Sequence, residues 1–228
     1  MQLHMCLPQR RASAIRSSRR AVSLSLLTVW RAPAGGEGAL VSVPSATLSA
    51  KGEVRIVLEL AEGRVLVCGS RRWPWPTAVE AVLDRLTDRY GDRLVVIEGS
   101  ARGADFAACS WCRRRGLGTD RHRCHPVDWA AAKRERPRDW RMAGPERNTR
   151  MLLQELPELV IAFHDHFVPA SGGTSDMCLR AVLRDVPVWL VPGPDVQVGA
   201  WLGAAIFPDE RARRVQGELE AFLRGPDR

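Results

Sequence analysis

The chain has 228 residues, 45% of them hydrophobic, with a formal net charge of +8 and a pI near 9.9. Such apolar content excludes a wholly disordered protein, and no apolar run approaches the ~18 residues that a bilayer-spanning helix needs. The positive charge invites a nucleic-acid reading, yet only Lys51 and Lys133 among 34 basic residues are lysine, so an arginine-rich coding bias accounts for it as well as phosphate contact does.

Residues 1–50 are rich in Ser, Arg, Gly and Pro without a sustained period, and are expected to be a disordered or low-complexity extension. Within it, "SSRRAVSLSLLTVWRAPAGG" imitates an export signal, with Arg19-Arg20 as a twin-arginine pair, but Arg31 closes the apolar stretch after ten residues. "EVRIVLEL" (53–60) adds a candidate strand. "RVLVCGS" (64–70) is a short apolar strand, followed by a helix over 77–90 that a Thr77/Glu80 capping box opens. "RLVVIEGS" (93–100) is the next strand, and Ala104, Ala107, Ala108 and Trp111 mark one face of a second helix. A weak strand (119–125) and a polar, Trp-bearing loop (126–143) lead to a helix over 145–156. The rest reads as strand 158–163, helix 174–184, strand 186–191, a Gly/Pro-rich stretch and a helix over about 208–224.

Near-continuous apolar strands alternating with amphipathic helices predict an α/β protein with a Rossmann-like three-layer fold and a mainly parallel sheet. The expected organisation is an extension (1–50), a Rossmann-like domain (51–193) and a partly helical C-terminal tail (194–228). Six cysteines are spread through the chain, two of them (Cys68, Cys178) inside apolar segments, which suits reduced thiols and a cytoplasmic location.

In such a sheet ligands bind beyond the carboxyl ends of the strands, where strand order reverses. The unusual loops all lie at those ends: Gly69-Ser70-Arg71, Gly99-Ser100-Ala101-Arg102-Gly103, and "HDHFVPASGGTSD", in which Gly172, Gly173 and Thr174 open a helix. Glycines admit close backbone approach, helix N-termini offer unpaired N–H groups, and Arg71, Arg102 and Arg147 carry forked donors. Three such loops together point to an anion site.

"VLVCGSRRW", "EGSARGAD", "HPVDW", "AGPERNTRM" and "GGTSDM" occur in the order and spacing of the YspA-like, cpYpsA-related SLOG family, which the chain resembles over about residues 63–192. The resemblance implies a Rossmann-like superfamily shared with the LOG phosphoribohydrolases and the DNA-processing protein A family, and binding of a nucleotide or nucleotide-derived ligand, in several relatives as a sensor. It assigns ligand contact to Gly69, Ser70, Arg71, Gly99, Ser100, Arg102, Gly103, Asp105, Arg147, Asn148, Gly172, Gly173 and Thr174. Asp176 falls where the LOG phosphoribohydrolases carry a catalytic Glu. Gly99-Ser100 replaces the family's usual Gly-Gly, and "HDHFVPAS" lengthens the segment before the last motif.

Several residues carry competing readings. Asp176 would orient water for N-glycosidic hydrolysis, bind ribose, or serve only as an acid in the first turn of a helix. Asp105 would bond a ribose hydroxyl or tie down loop N–H groups. Trp73, next to the first Arg loop, is expected to stack on a base, whereas Trp75, Trp129 and Trp140 fit a hydrophobic lid. Cys109-x-x-Cys112 with His122, Cys124 and His125 has a zinc-like spacing, but both cysteines fall on a helix, so no metal is expected. His164-Asp165-His166 reads as a solvated loop.

The sequence thus predicts a binder of a nucleotide-derived small molecule, acting as a sensor without a cofactor or membrane partner. Phosphoribohydrolase-like catalysis, a DNA-binding module and a homo-oligomer stay open as alternatives.

Overall fold

The computed structural model describes residues 60–225 together with two short strands, β1 (Ser45–Leu48) and β2 (Val54–Val57). These strands pair antiparallel and belong to a first unit, Met1–Ala61, while Glu62–Arg228 forms a second. β2 falls within the strand expected over 53–60, and β1 within the stretch read as an extension. The remainder of that stretch, including the export-signal reading, lies outside the described residues.

In the second unit the chain runs β3 (Arg64–Gly69), α1 (Pro76–Tyr90), β4 (Val95–Glu98), α2 (Ala104–Arg114), β5 (His122–Cys124), α3 (Trp129–Glu135), α4 (Ala143–Glu155), β6 (Leu159–Phe163), α5 (Gly173–Val182), β7 (Val188–Val191), β8 (Ala200–Trp201) and α6 (Asp209–Arg224). The sheet order is β5-β4-β3-β6-β7-β8, parallel except for the antiparallel edge strand β8. The α/β architecture with a mainly parallel sheet is therefore as expected, and the sheet has six strands. None of the described helices is long and apolar enough to cross a membrane.

Alternation along the strands builds two core layers. Leu66, Cys68, Ile97, Val160 and Ala162 join a cluster with Met151 and Leu152 of α4, Met177 to Leu179 of α5, and Val215 and Leu219 of α6. Val65, Val67 and Val96 are equally buried, as are Val79, Val82, Leu83 and Leu86 of α1 and Ala107, Ala108 and Trp111 of α2. All five residues of β6 are buried, as the central position of that strand requires.

Three local expectations need correction. No capping box opens α1: Trp75 is the N-cap, without a side-chain cap bond, and Pro76 starts the helix with its ready-set φ. The stretch 126–143 is not all loop, because Asp128 accepts the Ala131 N–H at 2.8 Å and caps α3. The tail after β7 adds a strand, β8, whose Trp201 packs on Trp189 at a centroid distance of 4.8 Å.

One charged cluster ties α4, α5 and α6 together. Arg180 of α5 is 1% exposed, and its Nε and Nη2 donate to the two Asp176 oxygens at 2.9 and 3.1 Å. Nη1 donates to Thr149 Oγ1 of α4 at 2.8 Å, and Nη2 also reaches Glu218 of α6 at 2.5 Å. Removing one partner of a buried pair leaves an uncompensated charge. Arg180→Met is expected to cost about 3–5 kcal/mol, read as a lower urea midpoint with an unchanged denaturant slope.

Candidate functional site

The strand order reverses between β3 and β6, since the chain builds outward through β4 and β5 before returning to β6. A cleft of about 470 Å³ opens at the carboxyl ends of these strands. Gly69, Ser70, Arg71 and Arg72 line it from the β3 loop, Ala101 and Asp105 from the β4 loop and α2, and Arg147 and Asn148 from α4. His164, Gly173 and Thr174 line it after β6, with Cys68, Met151 and Met177 beneath.

The glycines at the strand ends admit neighbouring parts of the chain itself. A Cβ on Gly69 would collide with the Phe163 carbonyl oxygen, so only glycine allows β3 and β6 to run this close where they leave the sheet. Gly103 has φ +77°, and a Cβ there would meet the Ser70 carbonyl oxygen. At Gly99 the space of the missing side chain holds the Arg147 guanidinium, whose Nη1 donates to the Gly99 carbonyl and, at 3.2 Å, to that of His125.

Not every residue that the motifs single out lies on the cleft. Gly99, Ser100, Arg102, Gly103, Gly172 and Asp176 are not among its lining residues. Arg102 is exposed, and Ser100 holds a left-handed φ of +55° while its N–H donates to Glu98 Oε2 at 2.5 Å. Gly172 is the N-cap of α5 at φ +93°. Both oxygens of Asp176 are engaged, by Arg180 and by Asn148 Nδ2 at 2.8 Å.

Conversely, Arg72, Ala101 and His164 line the cleft although the motif reading did not select them. The Arg71-Arg72 doublet was the available signal for the first; His164 is the residue that directly follows β6. Trp73, expected to stack on a base, is 6% exposed and donates its indole N–H to the Trp75 carbonyl at 2.7 Å, edge-on to Phe163. It is a plug beneath the loop. Trp129 of α3 instead lies 5.9 Å from the Arg71 guanidinium, which brings the short helix beside the cleft.

The long segment after β6 is ordered by α6. Arg211 Nη1 donates to the Pro169 carbonyl and, at 2.6 Å, to Ser175 Oγ, which itself donates to Pro169 at 2.8 Å. His166 is exposed while His164 is half-buried, and burial holds the His164 imidazole below its usual pKa.

Charge in the cleft is mixed. Asp105 is 4% exposed, accepts the Gly99 N–H at 3.1 Å and bonds the Ala101 N–H. Burial pushes its carboxyl up to about 6, against the pull of the Arg147 charge and those N–H donors and with the help of Glu98. Burial also lowers the Arg147 pKa, which the Asp105 charge offsets.

Residues 63–131 match the model of the YspA, cpYpsA-related SLOG family. The resemblance drawn from the motifs is borne out over that segment, which carries β3 to β5 and the first three motifs. No curated protein and no solved structure shows a significant match to the chain. The SLOG match is consistent with binding of nucleotide-related ligands.

Asp105 gives the site a pH signature. Its folded pKa lies above the ordinary value of 3.8, so between about 4 and 6 the folded state binds more protons than the unfolded one. Its contribution is fully present below about 4 and is lost as pH rises through 6. Asp105→Asn should abolish that decline, measured as the difference between variant and wild-type unfolding free energies across this range.

Proposed function

We propose that the chain binds a nucleotide-derived ligand in the cleft at the β3/β6 reversal and acts as a ligand sensor. The observation that carries this reading is the convergence there of the Gly69-Arg72 loop, the N-terminus of α5 and the Arg147-Asn148 pair on one polar cleft. The first N–H groups of α5 have no partner within the helix, and with the forked donors of Arg71 and Arg72 they suit a phosphate. Trp129, close to Arg71, offers an aromatic face to a base.

Asp176 enters this reading as a positioning residue. Its carboxylate, held by Arg180 and Asn148, orients the amide that lines the cleft and is not free to deprotonate water. The hydrolase reading draws its support from Asp105, whose carboxyl near 6 lies in the cleft and suits proton transfer.

A thermal-shift panel of nucleoside monophosphates, cyclic nucleotides, ADP-ribose and NAD tests the proposal, because a bound ligand raises stability by mass action. At least one is expected to raise the melting temperature without base release. Arg71→Ala should weaken that ligand by about 1.5–3 kcal/mol, the worth of a charge-assisted bond, in calorimetry. Base release that Asp105→Asn abolishes would replace the sensor by a hydrolase. Silence of the whole panel, with salt-steep binding of single-stranded DNA, would replace it by a DNA-binding module.

A further inference from the structure

On the α2 side of the sheet, away from the cleft-lining residues, a second set of chemical groups converges. Glu98 ends β4 with no exposed surface, and His122 Nε2 of β5 lies 3.0 Å from its Oε1 in a hydrogen bond. The parallel register pairs Glu98 with Cys124 and Val96 with His122, which sends Glu98, His122 and Cys124 to one face. Cys109 of α2 lies over that face: ligand atoms of Glu98, Cys109 and His122 are all within 4.8 Å of one another. Cys124, the register partner of Glu98, lies beside this group with its Sγ 3.3 Å from Ser100 Oγ, outside the set held within 4.8 Å.

We propose that Glu98, Cys109 and His122, with Cys124 turning in as the fourth ligand, form a zinc site that clamps the ends of β4 and β5 to α2. Two sulfurs, one imidazole nitrogen and one carboxylate oxygen make a donor set of borderline softness, which zinc takes in tetrahedral geometry. Four protein ligands leave no open position, so the site is structural. A buried carboxylate needs a positive partner, and a dication answers that need better than one imidazole when two thiols crowd the same carboxylate. On binding, the metal forms bonds to both sulfurs and each thiol releases its proton to solvent.

The ligands come from three consecutive elements, β4, α2 and β5, and share Cys109, His122 and Cys124 with the zinc spacing visible in the sequence, with Glu98 in place of Cys112 and His125. Cys112, one turn beyond Cys109, is fully buried. The site would act on the cleft from behind, since Glu98 directly precedes the Gly99 carbonyl that holds Arg147.

The experiment uses the untagged full chain, reduced and stripped with a chelator, then titrated with Zn²⁺ and with Co²⁺ as a spectroscopic probe. The expected result is one equivalent bound, a thiolate-to-cobalt charge-transfer band, release of about two protons per metal, and a higher melting temperature with Zn²⁺. Cys124 is exposed, so Cys124→Ser should fold, weaken the metal by more than the about 10–100-fold that an outer-shell partner costs, and reduce the charge-transfer band. His122→Ala should weaken binding similarly. Failure to bind a stoichiometric metal, or binding that keeps its affinity and its band in both variants, overturns the proposal. Because no nucleotide enters the test, its outcome is independent of the ligand that the cleft takes.

Discussion

The volume that a side chain would fill at Gly99 is occupied by the guanidinium of Arg147. That exchange of a Cβ for an arginine joins the loop after β4 to α4, two elements that the order of the sheet brings to opposite sides of the reversal point. It also desolvates the arginine: its Nε is buried with no hydrogen-bond partner among the described residues. Asp105, close enough to offset that burial, is in turn held by the Gly99 N–H. The polarity of the cleft therefore follows from one missing side chain, and the rest of the site is arranged around a cation that is already partly used.

A similar economy governs the other face. Asp176 and Arg180 are four residues apart on α5, a spacing that places them on one side of any helix. Here the pair is buried, and through Thr149 and Glu218 it fixes α4 and α6 against α5. Asn148 links this cluster to the cleft through Asp176 and the Gly173 carbonyl. Packing of the helical layer and placement of the polar lining are thus parts of one network.

Much of this was legible in the residues. Strands buried on both faces have no polar alternation to obscure them, so β3, β4, β6 and β7 stand out as apolar runs, the first two ending at a glycine. α3 was not legible because only Ala132 in its seven residues is buried, too few to set a helical period. β8, with two residues, has no pattern to read. The glycines announced that something approaches the backbone, yet not that Phe163, Ser70 and Arg147 are what approach Gly69, Gly103 and Gly99. Likewise composition does not distinguish Arg102 from the cleft-lining Arg71 and Arg72, because tertiary geometry alone decides which arginine lines the cleft.

The central pairing of the sheet joins Val65 to Leu159 and Gly69 to Phe163, segments far apart along the chain. During synthesis β3 can pair at once with β4, but its other edge must wait for β6, roughly 5–20 s later at ordinary elongation rates. Through that interval an apolar strand, destined for the middle of the sheet, leaves the ribosome with one edge unsatisfied. Such a nascent chain is a natural client for chaperones, and parallel, non-local topology makes its closure slow. Soluble yield should then depend on the pace of translation between codons 70 and 160 more than on the stability of the finished fold.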